Sequence, residues 1–192
     1  MLKTIILLTA TPHQQHALSV LLMAHNPALS FHKALTLKDL DDIEPEVWRN
    51  ARLIAFTSSV IVPRPMLEAA GHGAYNFHPG PPDYPGWAPA HFAIYDGVPQ
   101  FGATMHVMAA KVDSGPIIGV EPFSIPENIG ARELEHLAYA RLAHLFWRKA
   151  REIACEPGQL PALPLTWSGT KSTRQMYKEY CELPADIDAA EL

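Results

Sequence analysis

Asn76 and His78, two residues apart in Asn76-Phe77-His78, are joined 35 residues after the histidine by Asp113 in Val112-Asp113-Ser114-Gly115-Pro116-Ile117-Ile118. An amide can donate to a developing oxyanion, an imidazole can move a proton near neutral pH, and a carboxylate can orient or charge that imidazole. Together the three suit reaction at a carbonyl carbon. Asn76 and His78 share a face if they lie on a strand. Pro79-Gly80-Pro81-Pro82 follows at once, a rigid turn that ends the strand and leaves the imidazole at its carboxyl end, near water. Sites on open α/β sheets lie at such strand ends.

Each motif also has a second reading on its own. Asn-Phe-His can cap a strand end, and Asp113 can cap backbone amides in a turn. Gly102 and Gly115 permit close backbone approach by a ligand, or serve turns. His106, in Thr104-Met105-His106, either lines the same pocket or is a core histidine with its hydrogen bonds satisfied. Ser58-Ser59-Val60-Ile61-Val62 is a small-plus-apolar loop that could pack against a flat heterocycle, or simply connect two elements.

The elements that must position these residues follow from periodicity. Lys3 to Thr9 reads as a buried strand around the run Ile5-Ile6-Leu7-Leu8. Thr11-Pro12 then opens a helix with Ala17, Leu18, Leu21 and Leu22 on its apolar face. Further strands are expected at Phe31 to Leu35, Arg52 to Phe56, Ala74 to His78, Phe101 to Met108 and Ile117 to Phe123, with the alternation of Phe101 to Met108 suggesting a half-buried strand. Helical stretches are expected at Leu37 to Trp48, Pro63 to Ala70, Pro89 to Tyr95 and, with a broad apolar stripe, Ala131 to Ala154. This alternation predicts an α/β fold: an open, mostly parallel, Rossmann-like twisted sheet with helices on both faces. Residues 1–156 form the expected catalytic domain. Residues 157–192 read as a loop-rich C-terminal extension, with Asp186 to Leu192 starting a helix.

Composition narrows the function. The chain has 192 residues, and its net charge of -5 argues against a broad electrostatic grip on nucleic acid. No apolar run approaches the roughly 18 residues of a membrane span, and the short N-terminal run lacks a signal-peptide cleavage site, so a cytoplasmic protein is expected. Cys155 and Cys181 read as reduced thiols, and neither they nor the scattered histidines show metal-ligand spacing. The turn Thr9-Ala10-Thr11-Pro12-His13 has no glycine, which excludes a dinucleotide fingerprint or a P-loop there.

Taken together, Asn76-Phe77-His78, Ala93-Ile94-Tyr95-Asp96-Gly97, Gly102-Ala103-Thr104-Met105-His106 and Asp113-Ser114-Gly115-Pro116-Ile117-Ile118 resemble the folate-dependent formyltransferase family. The likeness is dense from Leu53 to Val120. It implies 10-formyltetrahydrofolate as formyl donor and Asn76, His78 and Asp113 as the catalytic trio. An acceptor amine would attack the formyl carbon, Asn76 and protonated His78 would bond the oxyanion, and Asp113 would keep His78 charged or relay the proton. It also implies a pteridine against Ser58, Ser59, Val60, Ile61 and Val62 and the backbone at Val112, with His106 nearby.

The acceptor is less defined. Ala10-Thr11-Pro12-His13 is not the glycine-rich loop of glycinamide ribonucleotide formyltransferases. The Thr-Pro turn is similar to that of methionyl-tRNA formyltransferases, whose further C-terminal barrel would begin about where this chain ends. His78-Pro79-Gly80-Pro81-Pro82 is similar to the formyl-folate domain of hydrogenase-maturation factors. A small amine, such as an amino sugar or amino acid derivative, is the expected acceptor. The alternatives are a formyltetrahydrofolate hydrolase, disfavoured because the chain opens directly on the catalytic strand, and a non-catalytic folate-binding or maturation module. The oligomeric state stays open, a homo-oligomer included.

Overall fold

Ile5 to Leu8 is apolar on every side chain, so a strand built from it needs cover on both faces, as central parallel strands do. A computed structural model, which describes residues 2–182, places this run in β1 (Thr4–Thr9). It lies between β2 (Ser30–Ala34) and β3 (Ala51–Phe56), and the sheet continues through β4 (Ala74–His78), β5 (Gln100–Val107) and β6 (Ile117–Ser124), in the order β2-β1-β3-β4-β5-β6. The first four strands are parallel; β5 runs antiparallel to β4, and β6 antiparallel to β5. This is the open, mostly parallel sheet that the alternation of elements predicts.

The two-residue period of the strands divides the core. Ile5, Leu7, Ile54, Phe56, Tyr75 and Phe77 face α1 (Pro12–His25) and α6 (Ala131–Cys155), against Leu18, Leu22, Leu142, Leu145 and Phe146. Ile6, Leu8, Leu53 and Ala55 point the other way, into the layer of α2 (Leu37–Asp41), α3 (Pro45–Arg49) and α4 (Arg64–Ala69), with Leu40 and Trp48. Helices therefore cover both faces. α5 (Pro89–Tyr95) joins α6, Phe101 and Phe123 in a third cluster beside the antiparallel strands.

Three expectations change. The single helical stretch from Leu37 to Trp48 is two short helices, because Pro45 cannot donate into a continuing helix and instead starts α3. β5 is buried on both faces, not one. Phe101, Ala103 and Met105 face the helices, while the proline-rich turn lies over the other side: Thr104 Oγ1 donates to Gly80 O at 2.7 Å. The extension is not all loop, since α7 (Arg174–Cys181) begins where Thr173 caps the Met176 amide. The helix expected from Asp186 lies outside the described residues.

Two polar anchors hold the frame. Arg52 is fully buried at the start of β3, and its guanidinium donates to the carbonyls of His72, Glu152, Ile153, Glu156 and Gly158. It thereby closes the C-terminal turn of α6, where helix carbonyls have no intrahelical donor. Gln14 sits at the other end of the sheet. Its Oε1 accepts from Ala10 N and Thr11 N, while Nε2 donates to Thr57 Oγ1 at 2.9 Å and Tyr139 Oη at 3.3 Å. Thr57, just after β3, has φ 51°, a costly conformation for a β-branched residue. Gln14 is the group that holds it there, at the rim of the cleft described next.

Candidate active site

The site grows from the antiparallel pairing of β4 with β5. Asn76 lies directly opposite His106, and His78 opposite Thr104, so these side chains share one face. A register shift at Met105/His106 in the pairing with β6 locally re-aims the strand. Asn76 Nδ2 comes 3.1 Å from His106 Nε2, and His106 Nδ1 lies 2.8 Å from Val107 O. A carbonyl only accepts, so Nδ1 carries the proton and Nε2 accepts from the Asn76 amide.

After β5 the chain turns back and delivers Asp113 between two imidazoles. Its Oδ2 lies 3.4 Å from His78 Nδ1 and its Oδ1 3.2 Å from His106 Nε2. Gly86 N–H donates to Oδ2 at 2.9 Å, from a residue whose φ of +101° is open to glycine and strained for other residues. Oδ1 accepts no aligned hydrogen bond among the described residues; the His106 contact is close but poorly directed. A buried carboxylate oxygen left in this state favours an incoming donor. Asp113 itself has φ 47°, tolerated by a short polar side chain. Gly115 serves the protein, not a ligand: a Cβ there would collide with Val107 O.

His78, expected near water, is 4% exposed. The loop after β4 folds back over it, so that its Nε2 donates to Tyr84 O at 2.9 Å. Trp167, from the extension, lies edge-on to both His78 and His106.

Burial lowers the His78 pKa from the ordinary 6.5, with Asp113 and the Tyr84 carbonyl pulling the other way. Burial would raise Asp113, but the His106 and His78 rings and the Gly86 amide outweigh it and bring its pKa to about 2. Near neutral pH the carboxylate is therefore ionised and His78 neutral, its proton held on Nε2 by Tyr84 O; the two rings lower Asp113 through their charged forms, in which the nitrogens facing the carboxylate carry protons. Both groups bind protons more readily in the unfolded chain, so stability rises with pH across their windows. The His78 contribution is complete above pH 6.5 and is lost as pH falls below that value. Asp113 contributes about 2 kcal/mol, lost as pH falls from its ordinary 3.8 to about 2. Urea unfolding followed against pH should show both declines, and Asp113→Asn should remove the lower one; an unchanged lower limb in that variant would contradict this assignment.

Two adjoining pockets meet at these residues. A recess of about 70 Å³ is lined by Ser58, Val60, Ile61, Val62, Val112 and His106, with Asn76 and Asp113 at its edge. A larger cleft of about 980 Å³ carries Thr57, Ser59, His78, Trp87, His91, Glu135, Lys171, Arg174 and Tyr177. Ser58, Ile61, Asn76, Val112 and Asp113 border both. Asn76, His78, His106, Val112, Asp113 and the Ser58 to Val62 loop thus line one or both pockets, whereas Gly102 and Gly115 line neither. Gly86, Trp87, Trp167, Lys171, Arg174 and Tyr177 carried no periodicity or motif that would have marked them.

Known proteins are similar to this chain in sequence and in fold. The family model described as formyl transferase matches residues 11–142, a stretch that holds Asn76, His78, His106 and Asp113. The chain belongs to the formyl transferase family. It is 30% identical over 123 residues to the methionyl-tRNA formyltransferase of Listeria innocua, a match covering 64% of this chain but only 38% of that enzyme. Among solved structures, it resembles a 4-N formyltransferase from Francisella tularensis with a TM-score of 0.77 at 18% identity, over 99% of this chain and 85% of that one. A formyltransferase from Anoxybacillus kamchatkensis, solved with UDP-4,6-dideoxy-4-formamido-L-AltNAc and tetrahydrofolate, matches with a TM-score of 0.70 at 18% identity, over 95% and 92%. At these identities the structural likeness is one of fold. Trp167 and the rest of the C-terminal extension lie beyond the family match. Among the described residues, no helix is long and apolar enough to cross a membrane.

Proposed function

We propose that the protein transfers a formyl group from 10-formyltetrahydrofolate to the amine of a small acceptor. The observation that carries this reading is the shared border of the two pockets. Asn76 and Asp113 face both, so a donor in one and an acceptor in the other would meet at an amide and a carboxylate. The pteridine would lie at the Ser58 to Val62 recess. Ile61, in the lining of both pockets, is 65% exposed and offers an apolar surface to such a ring.

In the reaction the acceptor nitrogen attacks the formyl carbon. Asn76 Nδ2 leaves His106 Nε2 and donates to the oxygen as it becomes an oxyanion. Asp113 Oδ1, which accepts no aligned hydrogen bond from the described residues, takes one from the attacking amine. His78 Nδ1 then receives the amine's proton, forming an imidazolium beside ionised Asp113, and returns it to the folate nitrogen as the carbon–nitrogen bond breaks. In this scheme His78 is charged during turnover and neutral before it. Lys171 and Arg174 in the lining of the cleft suit an acceptor that carries an anionic group. The UDP-linked formamido sugar in the Anoxybacillus structure makes an amino sugar nucleotide the first acceptor to try.

Incubation with 10-formyltetrahydrofolate, with and without a panel of small amines, tests this reading. Deformylated folate should accumulate only when a suitable amine is present. Equal release without amine would point instead to hydrolysis, and binding with no release under any condition to a non-catalytic module.

A further inference from the structure

We infer that Trp167 is a positioning residue that fixes the imidazoles on either side of Asp113. The indole lies edge-on to His106, with ring centroids 5.0 Å apart and planes at 88°, and to His78 at 5.8 Å and 70°. Its Nε1–H donates to Gly115 O at 2.8 Å, two residues past Asp113 in the same turn. One side chain therefore touches both rings and the loop that carries the carboxylate between them.

The segment bearing Trp167 is also joined to the loop that supplies the remaining bonds of the cluster. Ser168 N donates to Pro82 O at 3.2 Å, Ser172 N to Pro85 O at 2.9 Å, and Ser172 Oγ to Trp87 O at 2.6 Å. Between these ties lie Tyr84, whose carbonyl accepts from His78, and Gly86, whose amide donates to Asp113. Edge-to-face contact gives each imidazole a preferred ring orientation and excludes water from one side. A smaller aliphatic side chain would let both rings turn and let solvent reach their N–H groups.

Two substitutions separate this role from bulk packing: Trp167→Phe keeps an aromatic edge but loses the Gly115 bond, and Trp167→Leu loses both. The direct readout is solvent exchange of the ring protons of His78 Nε2 and His106 Nδ1, followed by nitrogen-edited NMR. Exchange should quicken by about threefold in Trp167→Phe and about tenfold or more in Trp167→Leu, the scale of losing one or both kinds of contact. In the kinetic arm, which rests on the formyl-transfer reading, kcat should fall about tenfold in Trp167→Leu with the donor KM within about threefold, and Trp167→Phe should recover most of the loss. Native exchange rates in Trp167→Leu would overturn the inference; if that variant does not fold, native rates in Trp167→Phe would do so. A native protein that fails to turn over formyl-folate would sink the transfer reading and leave the exchange experiment standing.

Discussion

Asp113→Asn is expected to lower formyl transfer by about 10²- to 10⁴-fold, mostly in kcat, while the protein stays folded. The replacement keeps the shape of the side chain. Its amide oxygen, in the place of Oδ2, can still accept from Gly86 N–H, which leaves its amide nitrogen in the place of Oδ1, beside His106 Nε2. The cluster stays in place, but the oxygen assigned to accept from the attacking amine becomes a donor. The negative charge that would stabilise an imidazolium is removed as well. Asn76→Ala should cost about 10²- to 10³-fold by loss of the oxyanion donor. Steady-state kinetics with an amine that supports turnover, alongside circular dichroism, distinguishes these effects from unfolding. Near-native rates in Asp113→Asn would remove the carboxylate from the mechanism.

Arg52→Met should instead destabilise the fold and spare the chemistry. The native guanidinium satisfies five carbonyls, four at the end of α6 and the turn beyond it and that of His72 ahead of β4. Methionine fills much of the space but donates nothing, so buried acceptors are left without partners. A loss of about 3–5 kcal/mol is expected in urea unfolding, equivalent to a melting shift on the order of 10 °C for a domain of this size. Arg52 is the second residue of β3, whereas the cleft lies at the carboxyl ends of β3 and β4, so kcat well below the melting temperature should be unchanged. A shift below about 1 kcal/mol would mean that water or a moved backbone replaces the lost donors.

The contrast between these residues shows what one-dimensional pattern can carry. Ile5 to Leu8 marks a doubly covered strand because burial acts on every residue of the run. Asn76 and His78 could be placed on one face because strand geometry is local. The pairing of Asn76 with His106 depends on hairpin register and on an irregularity at Met105/His106, neither of which is written in either segment alone. His78 was expected near water because its own turn signals a strand end; what buries it includes Trp167, which lies 89 residues further along the chain. Gly115 allowed two readings until the return of the chain past Val107 decided between them. α7 is short and mostly polar, so the capping Thr173 and the helical spacing of Met176, Tyr177 and Tyr180 are a weak signal beside the surrounding prolines and glycines. Its aromatic partners, His91 for Tyr177 and Phe92 and Tyr95 for Tyr180, belong to α5.

Cocrystallisation with 5-formyltetrahydrofolate, a chemically stable formyl-folate, tests the central claim most directly. The account predicts the pteridine against Val60 to Val62, and the folate nitrogens turned towards Asn76 and Asp113. A folate bound away from the Asn76–Asp113 border, or a folded protein in which no folate binds at all, would contradict it.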